Sequence, residues 1–279
     1  MKLPLLFAFA LSLPALAHGD PGCARTLASG LGWAMTVEQF LAEGERHFRA
    51  HPDATRLEIV VAKGEELPGR DDPRYVALGK TPLFGQITQL TLPTPVVMQA
   101  VAKGLRERHT LTRIRELRLG EGYPSDGKPY EPPLTMFHWE SPEGTPAGYG
   151  LAASLVYFPE LEVLEGAPPV EPVLDAIAEG ATPKLRRLGF GKPVHWYGSV
   201  RQYQRKDGSW GYRHVGLPDN PFEPEPVTRF GASPHLANLV DVDFGTKGFY
   251  DDSWAAFRAS PVGRRLVRLV ARGRNLRAW

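Results

Sequence analysis

Large apolar residues recur along the chain in one repeated phrase: an apolar residue, two other residues, a second apolar residue, one residue, and a third apolar residue. Within each copy, the alternation at the end of the phrase predicts a strand with one buried and one polar face. Copies starting at 87 and 114 lie 27 residues apart, and those at 161 and 185 lie 24 apart. The copies are ITQLTL at 87, IRELRL at 114, a weaker LEVLEG at 161, LRRLGF at 185, LVDVDF at 239 and LVRLVA at 266.

This phrase at this spacing is typical of leucine-rich repeats, in which each unit is a strand followed by a helical return. Such a unit cannot bury its apolar face alone, so stacked units share one core. We therefore predict an α/β fold, a leucine-rich-repeat solenoid with a curved, mainly parallel sheet inside and helices outside. The predicted continuous core includes Leu117, Leu119, Leu188, Phe190, Leu239 and Phe244.

Apolar residues at helical spacing between the strands predict the return helices. The first covers residues 36–50 and begins with a capping-box pattern of Thr36 and Gln39. The remaining predictions are helices over 95–105 and 170–180, a helix capped by residues 251–253, a first clear strand at 57–61, and a turn-rich stretch over 65–80.

Two segments rich in proline and glycine interrupt the repeats, at about residues 121–150 and 192–232. The second contains SVRQYQ and WGYRHV on either side of Asp207-Gly208, and this alternation around a turn predicts a β-hairpin. Across the two insertions the copies start 47 residues apart (114 to 161) and 54 apart (185 to 239). Both spacings are close to two periods, which leaves open whether each insertion replaces a degenerate repeat.

Residues 1–17 have a basic start, an apolar run and an Ala15-Leu16-Ala17 end, the parts of a secretory signal peptide. This interpretation predicts export to the periplasm or the exterior, and one mature domain over residues 18–279. The alternative is an apolar helix that caps the open end of the repeat core in a cytoplasmic protein. The run is too short to predict a membrane span.

Composition and the absence of known motifs argue against several classes of function. A net charge of +2 gives no reason to expect a nucleic acid partner. Cys23 is the single cysteine, so a disulfide within the chain is impossible. The sequence contains no phosphate-binding loop, hydrolase nucleophile motif or zinc-protease motif. We therefore predict a monomeric, non-catalytic protein without a cofactor or metal.

Three stretches carry a more specific likeness: residues 30–60 (GLGWAMTVEQFLAEGERHFRAHPDATRLEIV), 158–164 (FPELEVL) and 233–245 (SPHLANLVDVDFG). They resemble a large paralogous family of bacterial leucine-rich-repeat proteins, in which an N-terminal helix ends in a His-Pro turn and later units start with Ser-Pro-x-Leu. The resemblance implies the solenoid fold and carries no catalytic residues. The two insertions, and the lack of the Asn that follows the strand in plant and animal repeats, depart from it.

Residues with possible chemistry are few and scattered. His138 and Glu140 lie close together in the first insertion, and His195 and His214 flank the hairpin. Asp241-x-Asp243-x-Gly245 has part of a calcium-loop pattern, but it lacks the later ligands. We interpret the histidines as loop or packing residues and the two aspartates as outward positions of a strand.

The predicted function is protein binding. Strand alternation places Arg118, Arg187 and Arg268 on the concave sheet face, and Arg272 follows in a basic C-terminal stretch. Aromatic and arginine side chains supply much of the energy of protein interfaces. The aromatic candidates in the insertions are Trp139, Trp196, Tyr203, Trp210 and Tyr212. We expect a scaffold for an unidentified protein partner; the alternative is an enzyme or ligand-binding protein with its site in the insertions.

Overall fold

One sheet organises the chain in the computed structural model, which describes residues 25–26, 32–62, 65, 68–69, 71–109, 111–120, 147–191, 199–204, 210–215, 222–245 and 247–271. Nine strands lie in sequence order, eight of them parallel, with antiparallel β1 at one edge. They are β1 (Arg25–Thr26), β2 (Gly32–Met35), β3 (Arg56–Ile59), β4 (Gln89–Leu92), β5 (Glu116–Leu119), β6 (Val163–Ala167), β7 (Arg187–Phe190), β10 (Asp241–Asp243) and β11 (Arg268–Val270). A separate antiparallel hairpin consists of β8 (Ser199–Gln204) and β9 (Trp210–Val215).

Helices connect the parallel strands, and from α3 to α9 each helix contacts the next. The α-helices are α1 (Val37–Gln39), α2 (Glu45–Ala50), α3 (Pro73–Gly79), α4 (Met98–Arg108), α5 (Ala147–Ser154), α6 (Glu171–Ala178), α7 (Pro224–Ala232), α8 (Asp251–Ala259) and α9 (Pro261–Arg265). A π-helical turn, Phe40–Gly44, joins α1 to α2, and short 3₁₀ segments cover Pro82–Gly85, Pro95–Val97, Leu155–Tyr157 and Pro234–Leu236. This alternation of strand and helix is solenoid-like.

The repeated phrase sets the strand register. Its second apolar residue pairs across strands β3 to β11 in one row: Leu57, Leu90, Leu117, Leu164, Leu188, Val242 and Leu269. The row packs against the apolar sides of the helices in one cluster. All six residues predicted to share a continuous core are buried in that cluster, so this prediction is confirmed.

Helix starts follow a common local rule. Asp72, Thr81, Thr94, Ser233 and Ser260 each precede a proline that opens a helical segment. Each of these side chains accepts a hydrogen bond from a backbone N–H of the first turn. The cap satisfies a donor that has no partner within the helix, and proline lacks the N–H that would otherwise need one.

Most predicted elements are present. The capping box of Thr36 and Gln39 is formed, with the Gln39 N–H donating to Thr36 Oγ1 at 3.3 Å. Helices cover the ranges predicted at 36–50, 95–105 and 170–180, although the first contains a π-helical turn. The predicted hairpin is also formed, with Gln204 opposite Trp210 at its inner end.

Several elements were not predicted, among them β1, β2, α3 and α9. The prediction of a turn-rich stretch over residues 65–80 is wrong in its second half, where helix α3 buries Tyr75 and Leu78. Strand β2 precedes the strand predicted to come first. The prediction that residues 251–253 cap the following helix is wrong. Helix α8 begins at Asp251, so Asp251 and Asp252 lie in its first turn.

The insertions are shorter than their predicted ranges. Helix α5 begins at Ala147 and helix α7 at Pro224, each inside a predicted insertion. Strand β5 pairs directly with β6, and β7 pairs with β10. No strand therefore lies between β5 and β6 or between β7 and β10, so neither insertion takes the place of a repeat strand at those two positions of the sheet. Residues 1–17, the predicted signal peptide, lie outside the described residues.

Candidate interaction surface

The sheet face opposite the helices, called here the open face, carries two rows of side chains that alternate with the buried row. Because parallel strands β3 to β11 are in register, equivalent residues of successive repeats lie side by side. The first row is Arg56, Gln89, Glu116, Val163, Arg187, Asp241 and Arg268. The second row is Glu58, Thr91, Arg118, Glu165, Gly189, Asp243 and Val270.

Charges on the open face alternate in sign from strand β5 to strand β11. Arg118 Nη1 lies 3.1 Å from Glu165 Oε2, and Glu165 Oε1 lies 2.8 Å from Arg187 Nη2. Arg187 Nε is 3.5 Å from Asp241 Oδ2, and Asp241 Oδ1 is 2.9 Å from Arg268 Nη1. Three arginines and two carboxylates thus form a continuous ion-pair ladder across five strands.

Further polar residues join both ends of this ladder. Glu116 Oε2 lies 3.4 Å from Arg118 Nη2, and Gln89 Nε2 donates to Glu116 Oε1 at 3.5 Å. At the other end, Arg268 Nη2 lies 3.5 Å from Asp243 Oδ2. The ladder therefore has carboxylates and arginines in near balance, and it is not a basic patch.

The arginines are the accessible members of the ladder. Arg118 and Arg187 are 48% and 46% exposed, whereas Glu165 and Asp241 are only 24% and 21% exposed. Ion pairs with this much exposure contribute about 0–1 kcal/mol each to stability. The pairs instead orient the guanidinium groups of Arg118, Arg187 and Arg268 relative to one another.

The structure brings together three of the predicted binding residues, Arg118, Arg187 and Arg268. Tyr203, Trp210 and Tyr212 lie on the hairpin, where Tyr203 is opposite Gly211 and Tyr212 is opposite Gln202. The other predicted binding residues, Trp139, Trp196 and Arg272, lie outside the described residues.

The strand alternation that predicts the arginines on this face also puts Glu116, Glu165, Asp241 and Asp243 there, but these carboxylates were not part of the predicted site. The structure makes them the partners that fix the arginines. A signal was available: at equivalent repeat positions the sign of the charge reverses from Arg118 to Glu165, and it reverses twice along Arg187, Asp241 and Arg268.

The two aspartates of the calcium-like pattern, Asp241 and Asp243, already have partners within the protein. Asp241 pairs with two arginines, and Asp243 Oδ1 accepts a hydrogen bond from the Gly245 N–H at 2.8 Å. Within the described parts of the chain, no group of three potential metal ligands is close enough to hold an ion. Both aspartates are outward strand positions, as the alternation predicts.

A surface cavity of about 730 Å³ lies between helices α5 and α6, on the side of the molecule that carries the helices. Its lining includes alanines and three carboxylates, those of Glu171, Asp175 and Glu179. Asp175 is paired with Arg229 at 2.8 Å. Among the described residues, the lining contains no serine, cysteine or histidine.

No protein-family model, curated protein or solved structure matches this chain. No helix in the described ranges combines the length and the apolar character needed to cross a bilayer.

Proposed function

We propose that this chain is a leucine-rich-repeat protein that acts as a non-catalytic scaffold and binds another protein through its open face. The repeated phrase and the parallel sheet support the repeat assignment. Repeat architectures present extended surfaces rather than a closed pocket, and such surfaces commonly bind macromolecules. The proposed partner is a protein, and no nucleotide, metal or cofactor is required.

The observation that carries this proposal is the half-exposed ion-pair ladder. Since each exposed pair stabilises the fold only slightly, a partner can exchange its own charges for those of the ladder at little cost. Alternating charges favour a partner with the complementary pattern and disfavour partners with like charges opposite them. Selectivity would therefore arise from the order of charges along the sheet and not from net charge.

The predicted aromatic anchors belong to the same proposal. Trp139, Trp196, Tyr203, Trp210 and Tyr212 fall within the two insertions, which follow strands β5 and β7 in the chain. Both strands carry arginines of the ladder. Large aromatic side chains at the edge of an arginine-bearing surface would supply the apolar contact that the ladder lacks.

The test compares two adjacent arginines. The immobilised chain captures proteins from its source organism, captured partners are identified by mass spectrometry, and their affinity is then measured for each variant. Arg187→Ala removes a ladder member and should weaken binding by about 1 kcal/mol or more. Arg186→Ala removes a neighbouring exposed arginine outside the ladder and should leave affinity unchanged.

Equal thermal stability of the two variants would show that the loss reflects the interface and not the fold. If both variants bind every captured protein as tightly as the unaltered chain does, the open face is not the binding surface.

A further inference from the structure

Strand β11 is an edge strand in the part of the chain that the structure describes, with a neighbour on one side only. The core is less well covered there than in the middle of the sheet. Leu188 is 0% exposed, whereas Leu269, at the same repeat position, is only partly buried and Val267 is 86% exposed. Unpaired edges that expose apolar residues are suited to pairing with a further strand.

The backbone of β11 is oriented for such pairing. The Arg268 N–H donates to the Val240 carbonyl at 3.1 Å, and the Val270 carbonyl accepts from the Phe244 N–H at 2.9 Å. Peptide groups of successive residues in a strand face opposite edges. The N–H and carbonyl of Leu269 therefore face the free edge, where β10 offers them no partner.

Electrostatics around this edge favour an acidic partner. No acidic residue follows Asp252 in the sequence, whereas arginines continue to the C-terminus. Arg264 is exposed on helix α9, Arg265 donates to the Leu236 carbonyl at 2.9 Å, and neither has a carboxylate partner among the described residues. Two copies of this strand would bring like charges together, which disfavours self-pairing.

The chain contains an example of the sequence that complements β11. On the paired side, Asp241, Val242 and Asp243 lie opposite Arg268, Leu269 and Val270. Both aspartates contact the Arg268 guanidinium, and Val242 is fully buried beside Leu269. An acidic–apolar–acidic triplet is thus compatible with both the charge and the apolar surface of this strand.

We propose that the free edge of β11 binds an extended segment of a partner protein in which acidic and apolar residues alternate, so that the segment adds a strand to the sheet. Main-chain hydrogen bonds to Leu269 provide affinity in this mode, and side chains provide specificity. The apolar residue covers Leu269, and an acidic residue shares the half-exposed Arg268 guanidinium with Asp241 and Asp243. This edge is a second site, which has Arg268 in common with the open face but binds through the backbone of β11.

The probe is a short fluorescein-labelled peptide in which glutamate and valine alternate, and its binding to the full chain is followed by fluorescence anisotropy. The control peptide carries lysine in place of glutamate. We expect saturable binding of the acidic peptide, weakening as salt is added, and at least about tenfold weaker binding of the lysine peptide.

The decisive variant is Ala271→Pro. Ala271 lies two residues beyond Leu269, so its N–H also faces the free edge, and proline removes that donor without removing a bond to β10. We expect a loss of affinity of about tenfold or more for Ala271→Pro, while Ala271→Ser, which retains the N–H, binds like the unaltered chain.

Several results would overturn the proposal. One is no binding of the acidic peptide to the full chain, and another is equal binding by the proline and serine variants. A third is binding that appears only after residues 272–279 are removed, because this result would make that tail the occupant of the edge. Sedimentation that shows a dimer of the unaltered chain and a monomer of Ala271→Pro would instead assign the edge to a second copy.

Discussion

Gly166 in strand β6 has a backbone conformation that few other residues adopt. Its φ is +76°, and a Cβ placed there would lie 1.8 Å from the Leu119 carbonyl oxygen of the neighbouring strand. The glycine lies at a β-bulge, where the register between β6 and β7 shifts. Both the dihedral angle and the close strand contact therefore require the absence of a side chain at this residue.

We predict that Gly166→Ala lowers the free energy of unfolding by about 1–3 kcal/mol, the typical cost of a left-handed non-glycine residue. Gly189 in β7 is the matched control, because its Cβ would have no neighbour closer than 3.7 Å, an ordinary contact. Urea unfolding should show a lower midpoint for Gly166→Ala and a nearly unchanged one for Gly189→Ala. Equal midpoints for the two variants would contradict the bulge argument.

At single positions, the sequence was informative wherever strand alternation applied. It separated Leu188 and Leu117, which are buried, from Arg187 and Arg118, which lie on the open face. It did not predict which charges pair, because pairing depends on the register between neighbouring strands, and the repeats that supply these strands start 24–54 residues apart in sequence.

Among the elements, helix α3 was not predicted, although its sequence contains a helix-start signal. Its start, Asp72 followed by Pro73, is the same cap that opens four other helical segments, and Tyr75 and Leu78 form a short apolar stripe. Proline and glycine on either side of these residues favoured turns instead. The helix is stabilised by packing on α4, where a Cβ on Gly79 would lie 2.2 Å from the Val101 carbonyl oxygen, a tertiary contact that no local pattern reveals.

Arg74 of α3 also fixes this helix to α1. It donates to Glu38 of α1 and to Asp72, with Arg74 Nη2 2.8 Å from Asp72 Oδ2. Burial raises the pKa of each carboxyl, but hydrogen bonds, including those from Arg74, outweigh it. The pKa values of Glu38 and Asp72 therefore lie below their ordinary values of 4.5 and 3.8.

Because these pKa values are lower in the folded state than in the unfolded state, the two carboxylates stabilise the fold fully above the unfolded values. That stability is lost as the pH falls through the folded values. We predict that Arg74→Gln, which removes the cation, loses less stability than the unaltered chain between about pH 5 and pH 2. Urea midpoints across this range measure the difference, and parallel curves for the two proteins would exclude Arg74 as the cause.

In the whole molecule, the periodic part of the sequence predicted the architecture and the irregular part did not. Repeats at 87, 114, 161, 185, 239 and 266 became strands β4 to β7, β10 and β11, in that order across one sheet. The insertions, by contrast, have no period. Their spacing of about two repeats suggested missing strands, but in the sheet the flanking strands pair directly.

A stack of this kind is stabilised mainly by contacts between neighbouring repeats, so stability should fall from the middle of the sheet toward β11. Two equivalent backbone hydrogen bonds allow the comparison. The Arg187 N–H donates to the Glu162 carbonyl at 3.0 Å, and the Arg268 N–H donates to the Val240 carbonyl at 3.1 Å. Only the first belongs to a strand with neighbours on both sides. We predict that hydrogen exchange, followed by mass spectrometry, is slower in β7 than in β11. Equal rates would mean that the sheet opens as one cooperative unit.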